Sequence, residues 1–254
     1  MGIAVITGAS SGLGVEFARQ LQHDTEVEEI WLIARREDRL DEVADELTGA
    51  RGLPIPMDLA DPEQVTELAD RIARSGSDVR WLVNNAGFAA AGPFHGTDLT
   101  ESLGMVDVNV RSLVHLTRVA LDHMREGARI VQVASSAGFY PIPGFAVYAA
   151  SKAFVIQFTM ALAAELSERR IRTMALCPGR VETEFWTVAT EGKKNAPKLL
   201  SATPERVVRS ALRHARGWRW LSMPGFLARM AGLGAGTVPL RWAATVVRWF
   251  NPYR

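Results

Sequence analysis

The chain of 254 residues contains a single cysteine, Cys177, and this scarcity limits the chemistry that the fold can use. One cysteine forms no internal disulfide and excludes a metal site built from several cysteines. Long hydrophobic runs are also scarce: the longest one late in the chain, residues 230–240, is far shorter than the roughly 20 residues of a membrane-spanning helix. The N-terminal stretch MGIAVITGAS lacks the basic and apolar regions of a secretory signal. We therefore expect a cytoplasmic protein.

Acidic residues are missing from the last part of the chain. From Arg206 onward there are nine arginines and no Asp or Glu, whereas the first 205 residues carry 20 basic and 28 acidic side chains. The overall net charge of +1 therefore divides into −8 and +9. Such an asymmetry indicates an anionic partner or surface, or a contact between the tail of one protomer and the acidic body of another.

The basic extension over residues 225–254 carries tryptophans at helical spacing. Trp242, Val246 and Trp249 recur every three or four residues among arginines. This pattern is typical of an amphipathic helix at a membrane surface; it also suits a helix that packs on another subunit, which is the favoured interpretation. Peripheral membrane contact and a homo-oligomeric contact both stay open. No recognition motif accompanies the charge, so nucleic acid is not expected as a partner.

Apolar runs alternate with amphipathic stretches along most of the chain, a pattern that predicts βαβ units and a parallel sheet. No linker, repeat or low-complexity segment interrupts this pattern, which predicts one α/β domain over residues 1–254. The expected fold is a doubly wound, Rossmann-type, seven-stranded sheet flanked by helices, with a C-terminal helical extension. In such a fold the ligand binds at the carboxyl ends of the strands. Strands are expected at 3–7, 30–34, about 53–57, 81–85, 129–134, 172–177 and 218–223. Helices are expected at about 13–22, 37–47, 62–75, 100–125, 148–169 and 203–216.

A glycine-rich loop, TGASSGLG, follows the first strand. Its glycines, Gly8, Gly12 and Gly14, permit a sharp turn and close approach of a phosphate, and the helix that follows offers free N–H groups. The spacing differs from G-x-G-x-x-G, and the Gly-Lys-Ser/Thr ending of a P-loop is absent, which disfavours nucleoside triphosphate hydrolysis. From the loop alone, an ordinary tight turn is the alternative.

A group of polar residues follows the fifth strand. Ser135 and Ser136 come directly after it, and Tyr148 and Lys152, four residues apart, lie on one face of the next helix. A free tyrosine has a pKa of about 10, which a nearby ammonium group lowers. Tyr148 is then able to exchange a proton with an alcohol or carbonyl oxygen. A tyrosine and a lysine at this spacing are common on ordinary helices, so the serine and the glycine loop carry much of the prediction.

These motifs, in this order, resemble the short-chain dehydrogenase/reductase family over about residues 1–185. The TGxxxGxG loop of the family matches residues 7–14, its NNAG motif matches 84–87, and its YxxxK pair matches Tyr148 and Lys152. Its PG motif matches the stretch CPGRVETEF.

The resemblance implies a catalytic set of Asn109, Ser135, Tyr148 and Lys152. Ser135 is selected over Ser136 because the family serine lies thirteen residues before the tyrosine; it would hold the substrate oxygen. Tyr148 would donate the proton in reduction and accept it in oxidation. Lys152 would lower the pKa of Tyr148 and bind the nicotinamide ribose. Asn109 would make its helix locally irregular and anchor a water linked to Lys152.

The resemblance also implies which residues line a dinucleotide. They follow the carboxyl ends of the strands, and they are Gly8, Ser10, Ser11, Gly12, Leu13, Gly14, Arg35, Arg36, Asp58, Leu59, Asn85, Ala86, Gly87, Tyr148, Lys152, Pro178, Gly179, Val181 and Thr183. Asp58 would contact the adenine, with an ordinary aspartate at the start of a helix as the alternative. All five histidines lie outside this set, and no metal is expected.

Arg35 and Arg36 indicate which dinucleotide is bound. In this fold an acidic residue at the end of the second strand accepts the ribose 2′-hydroxyl of NAD, whereas guanidinium groups suit a 2′-phosphate. The pair therefore predicts NADP(H), although one of the two arginines could simply face solvent. Phe185 and Trp186 begin a predicted lid over residues 185–200 that would contact an apolar substrate; a surface helix is the alternative.

The sequence thus predicts an NADP(H)-dependent oxidoreductase for a carbonyl/secondary alcohol pair. The first expectation is a ketoreductase for an apolar small molecule, acting as a homodimer or homotetramer. Two alternatives stay open: an NAD(P)-dependent alcohol or hydroxysteroid dehydrogenase, and a non-catalytic NADP-binding sensor or scaffold. The complete set of four catalytic residues argues against the sensor.

Overall fold

The computed structural model describes residues 1–190 and 201–225, together with residues 229, 230, 232, 239–242, 244 and 245. In this part of the chain seven parallel strands form one sheet in the order β3-β2-β1-β4-β5-β6-β7. The strands are β1 (Gly2–Thr7), β2 (Glu29–Ala34), β3 (Arg51–Pro56), β4 (Asp78–Asn84), β5 (Arg129–Val133), β6 (Arg172–Leu176) and β7 (Leu221–Ser222). The predicted doubly wound sheet is confirmed.

Helices connect the strands. They are α1 (Gly12–Leu21), α2 (Glu37–Glu46), α3 (Pro62–Arg74), α4 (Leu99–Val106), α5 (Leu113–Asp122), α6 (Ala146–Glu165), α7 (Phe185–Ala189) and α8 (Pro204–Arg216). A π-helical turn over Asp107–Ser112 joins α4 to α5, and two short 3₁₀ turns cover Phe94–Gly96 and Ser136–Phe139.

The sheet is covered on both faces, which explains why its strands are apolar throughout. In β1, Ile6 packs in one buried cluster with Phe17 of α1, while its neighbour Val5 packs in another with Leu68 of α3. Successive side chains of a strand point to opposite faces, so both sets are buried only when helices cover both sides.

The strand order reverses at β1, which lies between β2 and β4. After β1 the chain builds β2 and β3 on one side, and then crosses to place β4 on the other. In open parallel sheets this reversal opens a crevice beyond the carboxyl ends of the strands. Thr7 and Asn84 end the two strands that flank it.

Two predicted elements differ from the structure. The helix expected over 100–125 is divided by the π-helical turn and ends at Asp122. The strand expected over 218–223 is limited to Leu221 and Ser222, because only these two residues pair with β6.

Parts of the predicted lid and tail lie outside the described residues. Of the expected lid, Phe185–Ala189 forms α7, and residues 191–200 are not among those described. Val246 and Trp249 of the predicted amphipathic helix also lie outside them.

One described helix, α6, is long and apolar enough to cross a membrane by length and composition alone. Half of its apolar window is buried inside the fold, where it contributes Val155 and Ile156 to a buried cluster. A core helix satisfies the same criterion, and the packing of α6 is that of a core helix.

Candidate active site

A cleft of about 480 Å³ opens at the carboxyl edge of the sheet. Every residue predicted to bind the dinucleotide lines it except Gly14, and Ser135 and Phe185 line it as well. Asn109 does not line the cleft. The sequence therefore locates most of this surface before any coordinates are known.

The glycine loop shapes the floor of the cleft. Gly8 and Gly12 have φ values of 66° and 54°, a left-handed conformation that side chains with a Cβ rarely adopt. A Cβ at Gly14 would overlap the carbonyl oxygen of Gly8, so α1 can approach the loop only with glycine there. Gly12 and Leu13, in the first turn of α1, line the cleft, where helix N–H groups suit a pyrophosphate.

Thr7 and Asn85 fasten the glycine loop to the end of β4. The Asn85 side-chain amide donates to the carbonyl oxygens of Thr7 at 2.9 Å and Gly8 at 3.1 Å. In return, the Thr7 hydroxyl accepts from the backbone N–H groups of Asn85 and Ala86 at 3.0 and 2.9 Å. These four bonds hold the two sides of the crevice together.

Ser135, Tyr148 and Lys152 meet at one end of the cleft. The hydroxyl of Ser135 is hydrogen-bonded to that of Tyr148, and it accepts from the Ala137 N–H at 3.1 Å. The Lys152 ammonium lies 5.9 Å from the centre of the Tyr148 ring and donates to the Val133 carbonyl oxygen at 2.8 Å. The three groups are buried.

Burial is the main cause of the shifted pKa values of Tyr148 and Lys152. It raises the pKa of Tyr148 to about 12 against the opposing hydrogen bond from Ser135. It also lowers the pKa of Lys152 to about 8. The expectation that Lys152 holds the pKa of Tyr148 below 10 is therefore not met in these surroundings, because desolvation disfavours the phenolate more than its polar neighbours favour it.

Asn109 lies in the π-helical turn and is almost fully buried. Its amide donates to the Phe88 carbonyl oxygen at 3.1 Å and to the Ser151 hydroxyl at 3.0 Å, and its oxygen accepts from the Phe88 N–H at 3.1 Å. Ser151 in turn donates to the Tyr148 carbonyl oxygen at 2.7 Å. The implied local irregularity is present, and Asn109 joins α6 to the chain beyond β4.

Arg36 lies at the other end of the cleft. Its guanidinium donates to the Ser10 carbonyl oxygen at 3.2 Å and approaches the Glu184 carboxylate at 3.4 Å. Arg35 also lines the cleft, is exposed, and makes no hydrogen bond or ion pair within the described residues. Both predicted arginines therefore border the cleft.

Asp58 lines the cleft beyond β3 while bonding to its own loop. Its carboxylate accepts from the Ala60 N–H at 3.0 Å, and its N–H donates to the Gln64 side chain at 2.8 Å. Neither bond reaches across the cleft: Asp58 closes a turn in the loop before α3, whose N-cap is Asp61, and it also borders the crevice.

The sequence indicated Phe185 as a contact for an apolar substrate, but it did not reveal Glu184 or the contribution of Phe88 and Ala89 to the apolar wall near Tyr148. The ring of Phe185 lies 5.7 Å from that of Tyr148, and Phe88 and Ala89 pack in the same cluster. The approach of Glu184 to Arg36 depends on how the chain turns after β6, for which its position in the sequence gives no signal. Trp186 belongs to α7, and its side chain lies outside what the structure describes.

A buried polar network behind the cleft was also missed. The Asn84 amide donates to Thr117 and Gln132 at 3.0 and 2.9 Å, and the Gln132 amide donates to Thr117 at 2.9 Å. Two amide side chains on otherwise apolar strands were the signal that could have revealed it. The network fixes the end of β4, where Asn85 begins its bonds to the glycine loop.

A dinucleotide fits this set of residues. The left-handed glycines leave the backbone open to a pyrophosphate, and two arginines border the same crevice at the end of β2. A sheet that reverses beside such a loop, with a buried Ser-Tyr-Lys group at the other end, defines a dinucleotide-dependent oxidoreductase. The family model described as short chain dehydrogenase matches residues 2–194, and the chain belongs to that family.

Named relatives are enzymes of the same family. The chain is 39% identical over 206 residues to sulfoacetaldehyde reductase 2 of Chromohalobacter salexigens, a match covering 78% of this chain and 80% of the relative. It is 34% identical to the NADP-dependent 3-hydroxy acid dehydrogenase of Schizosaccharomyces pombe, covering 75% of each. A short-chain dehydrogenase from Sphingobium yanoikuyae in complex with NADPH has a TM-score of 0.81 and 27% identity, covering 93% of this chain and 94% of that one.

Proposed function

We propose that the chain is an NADP(H)-dependent ketoreductase for an apolar substrate, with Tyr148 as the general acid. The observation that carries this proposal is the buried contact between the hydroxyls of Ser135 and Tyr148, with the ammonium of Lys152 beside the ring. Two hydroxyls that converge at one point can hold and protonate one carbonyl oxygen.

The residues have separate tasks in this reaction. When bound, the nicotinamide supplies the hydride to the carbonyl carbon. Tyr148 gives its phenolic proton to the carbonyl oxygen, which becomes the alcohol, while Ser135 donates a hydrogen bond to the same oxygen. Lys152 would bind the ribose, and its ammonium stabilises the phenolate until a proton from solvent restores the phenol. Asn109 acts as a positioning residue through Phe88 and Ser151.

Reduction needs Tyr148 in its protonated form, as an ordinary phenol with a pKa of about 10 already is at neutral pH. At a pKa of about 12 the phenol keeps its proton throughout the neutral range. A proton donor must be protonated when the substrate arrives. Oxidation by an alcohol or hydroxysteroid dehydrogenase uses the same atoms in reverse and would need the phenolate first.

An apolar substrate is supported by what surrounds the tyrosine. Tyr148 belongs to a buried cluster with Ala89, Met105 and Ala189, and Phe88 and Phe185 pack against it. A wall of this kind has few groups to bond a charged substrate.

NADP(H) is supported by the two arginines and by the relatives. Arg36 is held beside Ser10 in the glycine loop, and Arg35 borders the same crevice. A relative is named NADP-dependent, and a solved structure of similar fold contains NADPH. The guanidinium groups would bind the 2′-phosphate.

We also propose that the enzyme is a cytoplasmic homodimer or homotetramer. Exposed apolar side chains on α4, namely Leu99, Leu103 and Val106, and Phe154 on α6 support a contact between copies. Light scattering of the purified protein measures the assembly directly.

The test of the activity is NADPH consumption with a panel of apolar ketones. We expect Tyr148→Phe to lower the rate of reduction by about 100- to 10,000-fold, because the general acid is removed, while the dissociation constant for NADPH changes little. Ser135→Ala should also lower the rate, and Ser136→Ala, one residue further on, is its matched control.

Two outcomes decide between the candidate functions. Tight NADPH binding without turnover of any ketone or alcohol would favour the sensor or scaffold. Turnover that survives in Tyr148→Phe would refute Tyr148 as the acid, whatever the substrate.

A further inference from the structure

A row of arginines covers the outer face of α8. Arg206, Arg209 and Arg213 follow one another at spacings of three and four residues, so they share one face of the helix. All three are exposed, whereas Val207 and Ala211 on the opposite face are fully buried. Within the described residues none of the three arginines forms an ion pair or hydrogen bond.

The chain leaves α8 through a tryptophan-rich stretch, GWRWL. Trp218 and Trp220 are 57% and 42% exposed, and Arg219 between them is exposed as well. Contiguous exposed apolar surface with a polar rim marks an interaction site more often than chance. The row of arginines therefore continues into a patch that is both aromatic and basic.

Positive charge exceeds negative charge on this face, although the exposed carboxylate of Glu205 at the start of α8 lies near Arg209. Burial and the charges of Arg219, Arg213 and Arg229 together hold the pKa of His214 below its ordinary value, which shows that these guanidinium groups act on one point. No acidic residue follows Glu205 in the sequence. Arg216 is different, because it is paired with the buried Asp24.

Within the described residues, the cavity beside the two tryptophans is too small for a small-molecule ligand. The cavity lined by Trp218, Arg219 and Trp220 measures about 10 Å³, which is about the space of one water molecule. A surface without depth fits an extended, flat partner.

We propose that these residues, called the arginine–tryptophan surface (Arg206, Arg209, Arg213, Trp218, Arg219 and Trp220), bind the anionic face of a lipid bilayer. Guanidinium groups bind lipid phosphates, and tryptophan side chains insert at the boundary between headgroups and acyl chains. A bilayer presents negative charge over a plane, as the shallow surface requires. A symmetric contact between two copies would place like charges opposite each other.

The tryptophan end of the surface lies away from the active site. Residues 218–220 precede β7, so they lie toward the amino edge of the parallel sheet, whereas the cleft lies at the carboxyl edge. Contact through residues 218–220 is therefore made at the edge opposite the cleft, whereas Arg206 and Arg209 lie near the start of α8, just after Ala202, which pairs with the cleft residue Val181. The proposal uses none of the catalytic residues and stands independently of the ketoreductase activity.

The experiment is sedimentation of the full chain with two kinds of vesicle, phosphatidylcholine alone and phosphatidylcholine mixed with an equal amount of phosphatidylglycerol. We expect binding to the anionic vesicles only, weakening as salt is raised. Arg213→Gln with Arg219→Gln should weaken binding about 30-fold, given the typical contribution of each surface arginine. Trp220→Ala should weaken it while NADPH binding stays unchanged.

The matched control is Arg74→Gln with Arg125→Gln, two exposed arginines elsewhere that lower the net charge equally. An equal loss of vesicle affinity in this control would show that the effect comes from net charge alone and would overturn the proposal. So would equal binding to neutral vesicles, or binding of inorganic phosphate without binding of vesicles. A third outcome would assign the surface to a contact between copies instead. In that case the wild type would not bind vesicles, and its oligomer would dissociate in the Arg213/Arg219 variant.

Discussion

At the scale of single residues, we propose that Arg35 and Arg36 decide the choice of cofactor. Hydrogen bonds to charged groups contribute about 1.5–3 kcal/mol each. We therefore expect Arg35→Gln with Arg36→Gln to raise the dissociation constant for NADPH by about 10- to 100-fold. The constant for NADH should change little, because NADH has no 2′-phosphate. Fluorescence titration of both cofactors measures the two constants, and an equal loss for NADH would contradict the assignment.

Glu184 is expected to compete with the cofactor for Arg36. Its carboxylate lies 3.4 Å from the guanidinium, with both side chains about half exposed. An ion pair of this kind contributes less than about 1 kcal/mol. Glu184→Gln should therefore tighten NADPH binding by up to about fivefold and leave NADH binding unchanged. Glu182→Gln, two residues earlier and also exposed, is the matched control. Weaker NADPH binding in Glu184→Gln would show that the carboxylate assists the cofactor.

The residues that meet at the reacting end of the cleft were the easiest part of the site to predict. Tyr148, Lys152 and Ser135 meet because their spacing places them at the end of β5 and on one face of α6. The pKa of Tyr148 could not be predicted in the same way. It depends on how much of the ring is buried, which is set by side chains such as Phe145 and Phe185 that pack against it.

At the scale of elements, the junction of the glycine loop with α1 tolerates no side chain at Gly14. A Cβ there would overlap the Gly8 carbonyl oxygen, so the helix must shift in Gly14→Ala. We expect a loss of about 1–3 kcal/mol in the free energy of unfolding, and weaker NADPH binding because Gly12 and Leu13 move with the helix. Urea unfolding and NADPH titration measure the two effects.

Gly96→Ala is the control for this prediction. Gly96 ends a short 3₁₀ turn, and nothing lies within 4 Å of the Cβ it would gain. Its stability should stay within about 0.5 kcal/mol of the wild type. Similar losses in both variants would show that crowding at Gly14 is not the cause.

Most element boundaries could be predicted because hydrophobic periodicity and caps are local signals. The division of the helix over 100–125 could not be predicted from periodicity, since it depends on a contact distant in sequence, and only the family resemblance implied an irregularity at Asn109. Asn109 bonds to both backbone groups of Phe88 and to Ser151 of α6. The amphipathic pattern runs through the π-helical turn without a break, so periodicity gives no warning of it.

At the scale of the whole molecule, Asp24 ties the first third of the chain to α8. Its carboxylate accepts from the Trp81 indole and from Arg216, both at 3.1 Å. Burial raises the pKa of Asp24, but the bonds from the Glu26 N–H, Arg216 and Trp81 outweigh it and hold the pKa below 3.8. The carboxylate form thus joins segments far apart in the sequence.

A pH-dependent stability follows from this carboxylate. Because its pKa is lower in the folded state, its stabilising contribution is fully present above pH 3.8 and is lost as the pH falls through the folded-state pKa. We expect Asp24→Asn to lower the free energy of unfolding at neutral pH by about 1–3 kcal/mol, and the difference from the wild type to shrink below pH 3.8. Urea unfolding at both pH values measures it. Asp41→Asn, at an exposed position on α2, should show neither effect.

Glu184 and Phe185 are neighbours in the chain, yet one approaches Arg36 at the adenosine end of the cleft and the other packs on Tyr148 at the reacting end. We expect a 2′-phosphate to draw Arg36 away from Glu184 and so to shift the adjoining Phe185 slightly. The affinity for the ketone should then depend on which nucleotide is bound. By thermodynamic linkage the ketone must alter the affinity for that nucleotide by the same factor. We therefore expect the nucleotide and the ketone each to change the affinity of the protein for the other, through Glu184 and Phe185.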